Sequence, residues 1–472
     1  MAALILAEIS STFEASMAFV ALPALSIHFA NPIGASWTIT AFFVVSAGTA
    51  ALFSRLGDIY GRRRLLILVL LIAASGSLLS ALSETLTGVI AGRTLQGATG
   101  AVLPLCLGLM RENLPPSKLS FNIGIMGGVV GVSAGLAFLL AGYLLDHVEW
   151  HGLFLCSFAI AIAGAATVSL VVPRSKPAPD SRRLDIWGGI LFVPAISSLM
   201  LALTLGRGGW IQWQVLTTFI AGLLLLIFWA RHEWRHRNPL IDIRLFADRR
   251  ICLANLVFAS AAIGPMLYPQ VILSLAQQPV LTGVGLGLSA TAAGMLKQPG
   301  TLMGFIAGPL GGRIAERWGS RQAILLGAGT LALGWIPPLL EMNSFGVLLG
   351  TVCMQSFGMV VLYGAVSNQI VEAAPLLRTS EALGLAQTTR STFTAIGSQI
   401  IAAALAYSTV TAGESSNAAY PSSSAYTMAF VFLLCASTAA FIAAWLLPRS
   451  GPIPTEPVAP ALRPNEQMTV ES

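Results

Sequence analysis

Ser54-Arg-Leu-Gly-Asp-Ile-Tyr-Gly-Arg-Arg-Arg-Leu65 (SRLGDIYGRRRL) gathers four arginines, one aspartate and two glycines into twelve residues. The rest of the 472-residue chain is apolar, with 55% hydrophobic and only 10% charged residues overall. A soluble domain carries roughly a quarter charged residues. On both sides of the stretch the chain turns apolar for about 20 residues, the length that crosses a hydrocarbon core as a helix. The stretch therefore reads as a polar connection between two membrane helices, at 33–54 and 65–83. Outward from it the same alternation gives fourteen apolar stretches, the others at 2–29, 88–110, 122–145, 152–172, 184–206, 213–231, 251–275, 284–311, 322–340, 345–371, 382–408 and 425–447. The expected fold class is an all-α integral membrane protein.

Charge distribution orients the chain. With connections assigned alternately to two sides, one side collects all of the 26 lysines and arginines except Arg207, on the other side, and Arg93, Lys297 and Arg390, within spans. Loops rich in Lys and Arg stay in the cytoplasm, so both termini are expected there, in a multi-pass protein of the cell (inner) membrane. The net charge of +6 thus reflects this asymmetry and calls for no nucleic acid. Five scattered cysteines suggest neither a disulfide framework nor a metal site, and read as packing residues. The first apolar segment lacks a basic flank and a small-residue cleavage pattern, so no cleavable signal is expected, although a few residues are expected to precede Met1.

The charged stretch recurs. Gly312-Arg-Ile-Ala-Glu316-Arg-Trp-Gly319-Ser-Arg321 follows the tenth apolar stretch as Ser54–Arg63 follows the second, aligning Asp58 with Glu316, Gly61 with Gly319 and Arg63 with Arg321. The expected organisation is a six-helix bundle at 1–172, a linker and two inserted helices at 173–250, a second six-helix bundle at 251–447, and a Pro-rich disordered tail at 448–472. Parallel repeats around a midplane site belong to rocking transporters.

These residues resemble a known family. The 54–65 stretch resembles the glycine, aspartate and arginine signature between helices 2 and 3 of the major facilitator superfamily, and Arg93-Thr-Leu-Gln96-Gly97 is similar to its Arg-x-x-Gln-Gly motif. Glu14-Ala-Ser-Met-Ala-Phe-Val-Ala21-Leu22-Pro23 is similar to the Asp-x-Thr-x-x-Asn-x-Ala-x-Pro pattern of its fourteen-helix drug:proton antiporters. The two-helix insert and Asn238-Pro-Leu-Ile-Asp242-Ile-Arg-Leu-Phe246 resemble the same subfamily. There are departures. Where that subfamily carries Gly-Pro-x-x-Gly-Gly in helix 5, this chain reads Ala137-Phe-Leu-Leu-Ala141-Gly142; Phe19 replaces the asparagine of the helix 1 pattern, and Ser54 the leading glycine. After Arg390, Phe393-Thr394 stand where two glycines are expected. The resemblance implies two six-helix bundles plus an insert, and export of small organic compounds or drugs in exchange for protons. A proton symporter or uncoupled facilitator for a small anionic or neutral metabolite is the other reading, because the altered helix 5 motif is the antiport-specific feature.

Charged groups inside the spans default to function, because an ionised side chain in hydrocarbon is expensive. Glu14 reads as the proton carrier, or as a structural partner of Arg93 or Arg390. Glu8, nearer the helix end, reads as a solvated or entry residue. Arg93 and Gln96 share a helix face, and resemblance implies that they take part in proton coupling; a packing network is the alternative. Lys297 either reaches the interface by its long stem or faces the cavity, where with Arg93 and Arg390 it would outnumber Glu14 and favour neutral or anionic substrates. Gly57, Asp58, Gly61, Arg62, Arg63, Glu316, Gly319 and Arg321 read as a cytoplasmic gate, a latch between the bundles that closes when the cavity opens outward. Asp58 would cap the following helix or pair with an arginine, and Arg62 to Arg64 would anchor at the anionic leaflet. The glycines at 124, 127, 128, 131 and 135 would make a smooth helix face. The five dispersed histidines carry no catalytic spacing, and no phosphate loop, metal motif or nucleophile elbow appears, so no enzyme and no cofactor are expected. Expected partners are a small-molecule substrate, protons and lipid, with the chain acting as a monomer.

Overall fold

Gly61 alone separates the helices on either side of the charged stretch. In the computed structural model, which describes residues 1–113, 116–175, 186–205, 212–236, 243–373, 379–411 and 419–448, α1 (Ala2–His28) and α2 (Pro32–Tyr60) are followed directly by α3 (Arg62–Ala81). The expected connection is thus helical up to Tyr60, because its arginines and leucines favour helix and only Gly61 breaks it. Gly61 has φ 98°, a left-handed conformation open to glycine. The second copy behaves identically: Gly319, φ 89°, separates α12 from α13, and its N–H bonds the Ala315 carbonyl as that of Gly61 bonds Gly57.

The other helices are α4 (Leu86–Gln96), α5 (Val102–Asn113), α6 (Pro116–Val171), α7 (Ile186–Leu205), α8 (Trp213–Arg235), α9 (Arg249–Ile263), α10 (Tyr268–Gln277), α11 (Ala290–Leu296), α12 (Gln298–Trp318), α13 (Ser320–Leu333), α14 (Ile336–Leu340), α15 (Phe345–Ala373), α16 (Thr379–Leu405) and α17 (Ser423–Trp445). Nine helical stretches among the described residues are long and apolar enough to cross a membrane. One of them, Val129–Val171, has 43 residues, about twice one crossing; α6 breaks within it at Glu149, where φ is 68° and ψ 176°.

Several apolar stretches are not single helices. The 88–110 stretch is interrupted by a 3-10 turn at Gly97–Ala101, and 251–275 by one at Pro265–Leu267. In 284–311 no helix forms before Ala290, and Lys297 lies at the junction of α11 and α12. Glycine and proline mark each interruption (Gly97, Gly264-Pro265, Pro299), removing helix propensity or a donor inside a hydrophobic run. The all-α expectation needs one small correction: β1 (Thr409–Thr411) and β2 (Ala419–Pro421) pair antiparallel.

Three apolar clusters form the core. One joins α1, α6, α10 and α17; one joins α2, α7, α9, α13, α15 and α16; the third packs α3 and α5 against the start of α1. All five cysteines are free, but Cys252 and Cys435 are exposed rather than packed inside. On α6, a Cβ on Gly131 would meet nothing, whereas one on Gly135 would press against Thr301, and one on Gly142 against the Ala290 carbonyl. Close approach is thus seen at Gly135 and Gly142 and not at Gly131; the side chains around residues 124, 127 and 128 lie outside the described ones, as do Arg207, 237–242 and the tail beyond Pro448.

Candidate functional site

Glu14 is completely buried on α1, facing α3 and the second part of α6. One carboxylate oxygen, Oε1, accepts hydrogen bonds from Ser157 Oγ at 3.1 Å and Ser77 Oγ at 3.4 Å, and the two hydroxyls are 3.1 Å apart. The other, Oε2, is buried without a partner.

Arg93, also completely buried, completes the cluster. Its Nη1 donates to the main-chain carbonyl of Glu14 at 2.9 Å and to Gln96 Oε1 at 2.7 Å; its Nε donates to the Thr38 carbonyl at 2.8 Å. The guanidinium also lies 4.5 Å from the centre of the Phe42 ring, a cation–π contact. Gln96 in turn donates to Ser77 Oγ at 2.6 Å. So Glu14, Arg93 and Gln96 form one network, but the guanidinium binds the glutamate's backbone and not its carboxylate. The ion pair with Arg93, the alternative reading of Glu14, is not formed here, because three carbonyl-type acceptors already fix the arginine. Its Nη2 is buried and bare, as Glu14 Oε2 is. Buried polar groups in native proteins are nearly always satisfied, and this network holds one bare donor and one bare acceptor.

Lys297 does not reach the interface. Its ammonium donates to Ser356 Oγ at 3.2 Å, and lies 4.4 Å from the ring centre of Tyr268 and 5.6 Å from that of Phe138. All three neighbours are buried, so the head group points inward. Arg390 is separate: Nε donates to Gln387 Oε1 at 3.0 Å, and the guanidinium faces Tyr363 and Met266. Glu8 is 4% exposed with Oε2 bare, so the expectation of a solvated residue is corrected: α1 carries two buried carboxylates, since the third core cluster closes over its start.

A family model described as Major Facilitator Superfamily matches residues 4–398. The chain belongs to the Major Facilitator Superfamily. It is 27% identical over 332 residues to "Multidrug resistance protein 3" of Bacillus subtilis, covering 66% of this chain and 63% of that protein. It is 28% identical over 351 residues to "Probable actinorhodin transporter" of Streptomyces coelicolor, covering 71% of this chain and 59% of that protein. The matched part thus spans under two thirds of either relative. The crystal structure of an auto-inhibited POT family peptide transporter superposes with a TM-score of 0.62 at 16% identity, covering 95% of this chain and 96% of that one, a likeness of fold.

In this superfamily chain, described residues of the charged repeat make hydrogen bonds within their own set of helices. Arg62 bonds Glu112 Oε1 at 2.8 Å and the Gly108 carbonyl at 3.1 Å; Arg63 bonds the Ser169 carbonyl, and its N–H bonds Ser175 Oγ. Arg62 and Arg63 are partly buried and Arg64 is exposed. Arg321 likewise donates to the Trp445 carbonyl at 2.7 Å, and Ser320 to Glu372 at 2.8 Å. The Asp58 and Glu316 side chains lie outside the described ones.

Contacts between α1–α6 and α9–α17 lie elsewhere. Asp146, which follows the α6 residues facing α11, accepts from the Ala290 N–H at 3.0 Å and the Thr291 N–H at 2.8 Å. Gln277 reaches the Val20 carbonyl at 3.5 Å, Gln298 the Gly135 carbonyl at 2.7 Å and Gln399 the Thr40 hydroxyl at 2.8 Å. A pocket of about 80 Å³, lined by Leu22, Pro23, Ser274, Gln277 and Tyr426 among others, remains between the two sets at the His28 end.

Proposed function

We propose that the chain is a secondary transporter with fourteen spans and both termini cytoplasmic, exporting small organic compounds in exchange for protons and acting as a monomer. Residues 1–172 and 251–447 would rock against each other around a midplane site, with 173–250 as an inserted pair. The observation that carries this reading is the half-satisfied carboxylate of Glu14. Two serines orient one oxygen and leave the other open to a proton. Loss of that proton leaves a buried charge beside Arg93, whose bare Nη2 is the complementary donor, so deprotonation would shift the guanidinium from backbone to carboxylate. The names of the relatives, a multidrug resistance protein and a probable actinorhodin transporter, support an exported organic compound. The contacts at the His28 end suit a cavity closed on the outside.

Everted vesicles energised to a pH gradient test this. A substrate should dissipate the gradient in the unaltered protein and not in Glu14→Gln. A compound that equilibrates equally in both without moving protons would instead favour an uncoupled carrier or symporter, the reading supported by Ala137-Phe-Leu-Leu-Ala141 in place of the antiporter motif.

A further inference from the structure

The Lys297 amine lies inside the bundle with no carboxylate within ion-pairing distance among the described residues. A charged group in that position needs a counter-charge. Its one hydrogen-bond acceptor, Ser356 Oγ, is itself held by the Tyr268 hydroxyl at 2.9 Å, which fixes the direction from which the amine is approached. Two of the three ammonium donors are left for a ligand. The other neighbours are the Tyr268 and Phe138 ring faces and the Cys353 side chain.

Those rings continue. Phe138 of α6 stacks on Phe19 of α1 at 6.5 Å between centres, Phe19 meets Phe43 of α2 at 6.4 Å, and Phe43 meets Phe42 edge-on at 5.2 Å. Phe42 is the ring beneath Arg93. A row of aromatic side chains therefore leads from the Lys297 amine, at the junction of α11 and α12, to the Glu14–Arg93 network. Phe19 stands where the resembled antiporter pattern has asparagine, so this chain has an apolar ring in place of a polar group along that row.

The geometry points to Lys297 as the anchor of an aromatic monoanion, its carboxylate or enolate on the ammonium and its ring against Phe138 and Tyr268. This rests on the transport reading above and supplies its substrate class. Lys297 and Tyr268 come from α10–α12 and Phe138 from α6, so one ligand would touch both sets of helices. A flat anion satisfies the two features of the site together: charge at one end and ring faces beside it. A cationic dye would meet repulsion from Lys297, and an aliphatic anion would leave the rings unused.

The test is equilibrium binding to the purified full chain in detergent, which needs neither a gradient nor a functioning proton carrier. The probes are 2-naphthoate, 2-naphthamide and 2-naphthylmethylammonium, alike in ring and different in charge. The expected result is that naphthoate binds at least tenfold more tightly than either other probe. Lys297→Met should abolish that preference, and Lys297→Arg should keep it within about threefold, with both variants monodisperse. Equal binding of the three probes, no binding of naphthoate, or a preference unchanged in Lys297→Met overturns the assignment. If the naphthoate preference holds in the unaltered protein while the vesicle experiment shows no coupling, the anion site stands and the proton reading fails.

Discussion

Arg93 holds three acceptors from three helices with one side chain: the Thr38 carbonyl of α2, the Glu14 carbonyl of α1 and Gln96 of its own helix. A planar fork can do this and a lysine cannot. Lysine would keep the charge, reach one acceptor and leave at least one buried carbonyl bare, where a charge-assisted bond contributes about 1.5–3 kcal/mol. Arg93→Lys is therefore expected to destabilise the protein by about 2–4 kcal/mol, seen as a lowered unfolding midpoint in detergent, and to abolish coupled transport. An unchanged midpoint would mean that the network does not hold α1, α2 and α4 together. Glu14, Arg93 and Gln96 were legible in the sequence because each is a strong polar group in an apolar run. Ser77 and Ser157 were not: serine is ordinary in membrane helices, and they reach Glu14 across 63 and 143 residues of chain. Lys297 was visible as a charge, but only the fold placed Tyr268, Ser356 and Phe138 around it.

The α6–α11 contact is one joint between the two sets of helices. Gly142 permits the close approach, Ser289 caps Ala292 within its own segment, and Asp146 caps Ala290 and Thr291 from across the joint. A carboxylate on the first N–H groups of a helix is favoured by both hydrogen bonding and the helix dipole. Removing such a cap costs about 1 kcal/mol, roughly fivefold in population. In a background without other cysteines, Asp146→Ala should raise the labelling rate of a cysteine introduced at Ser274, in the adjoining pocket, by about that factor. An unchanged rate would show that this cap does not hold the His28 end closed. Among the elements, long apolar helices such as α3 and α17 were legible from hydropathy alone. The interruptions at Gly97–Ala101 and Lys297 were not, because the hydrophobic pattern continues through them and only glycine and proline betray the break.

Across the whole molecule, the copied charged stretch was the most informative signal in the chain. It predicted a repeat, and Gly61 and Gly319 adopt the same left-handed turn between helices in both copies. What it could not supply was the partner of each arginine: Arg62 donates to Glu112 and the Gly108 carbonyl, and Arg321 to the Trp445 carbonyl. Which end of the bundle is joined was equally hidden, since Asp146, Gln277 and Gln399 become bridges only once distant helices meet. With the His28 end bridged, the proposed transport couples one buried carboxylate to the movement of the entire assembly. The direct test is solute accumulation in proteoliposomes driven only by an imposed pH gradient, alongside exchange of labelled for unlabelled solute without a gradient. Glu14→Gln should lose gradient-driven accumulation while retaining exchange. Accumulation by Glu14→Gln equal to that of the unaltered protein would contradict the assignment of proton coupling to Glu14.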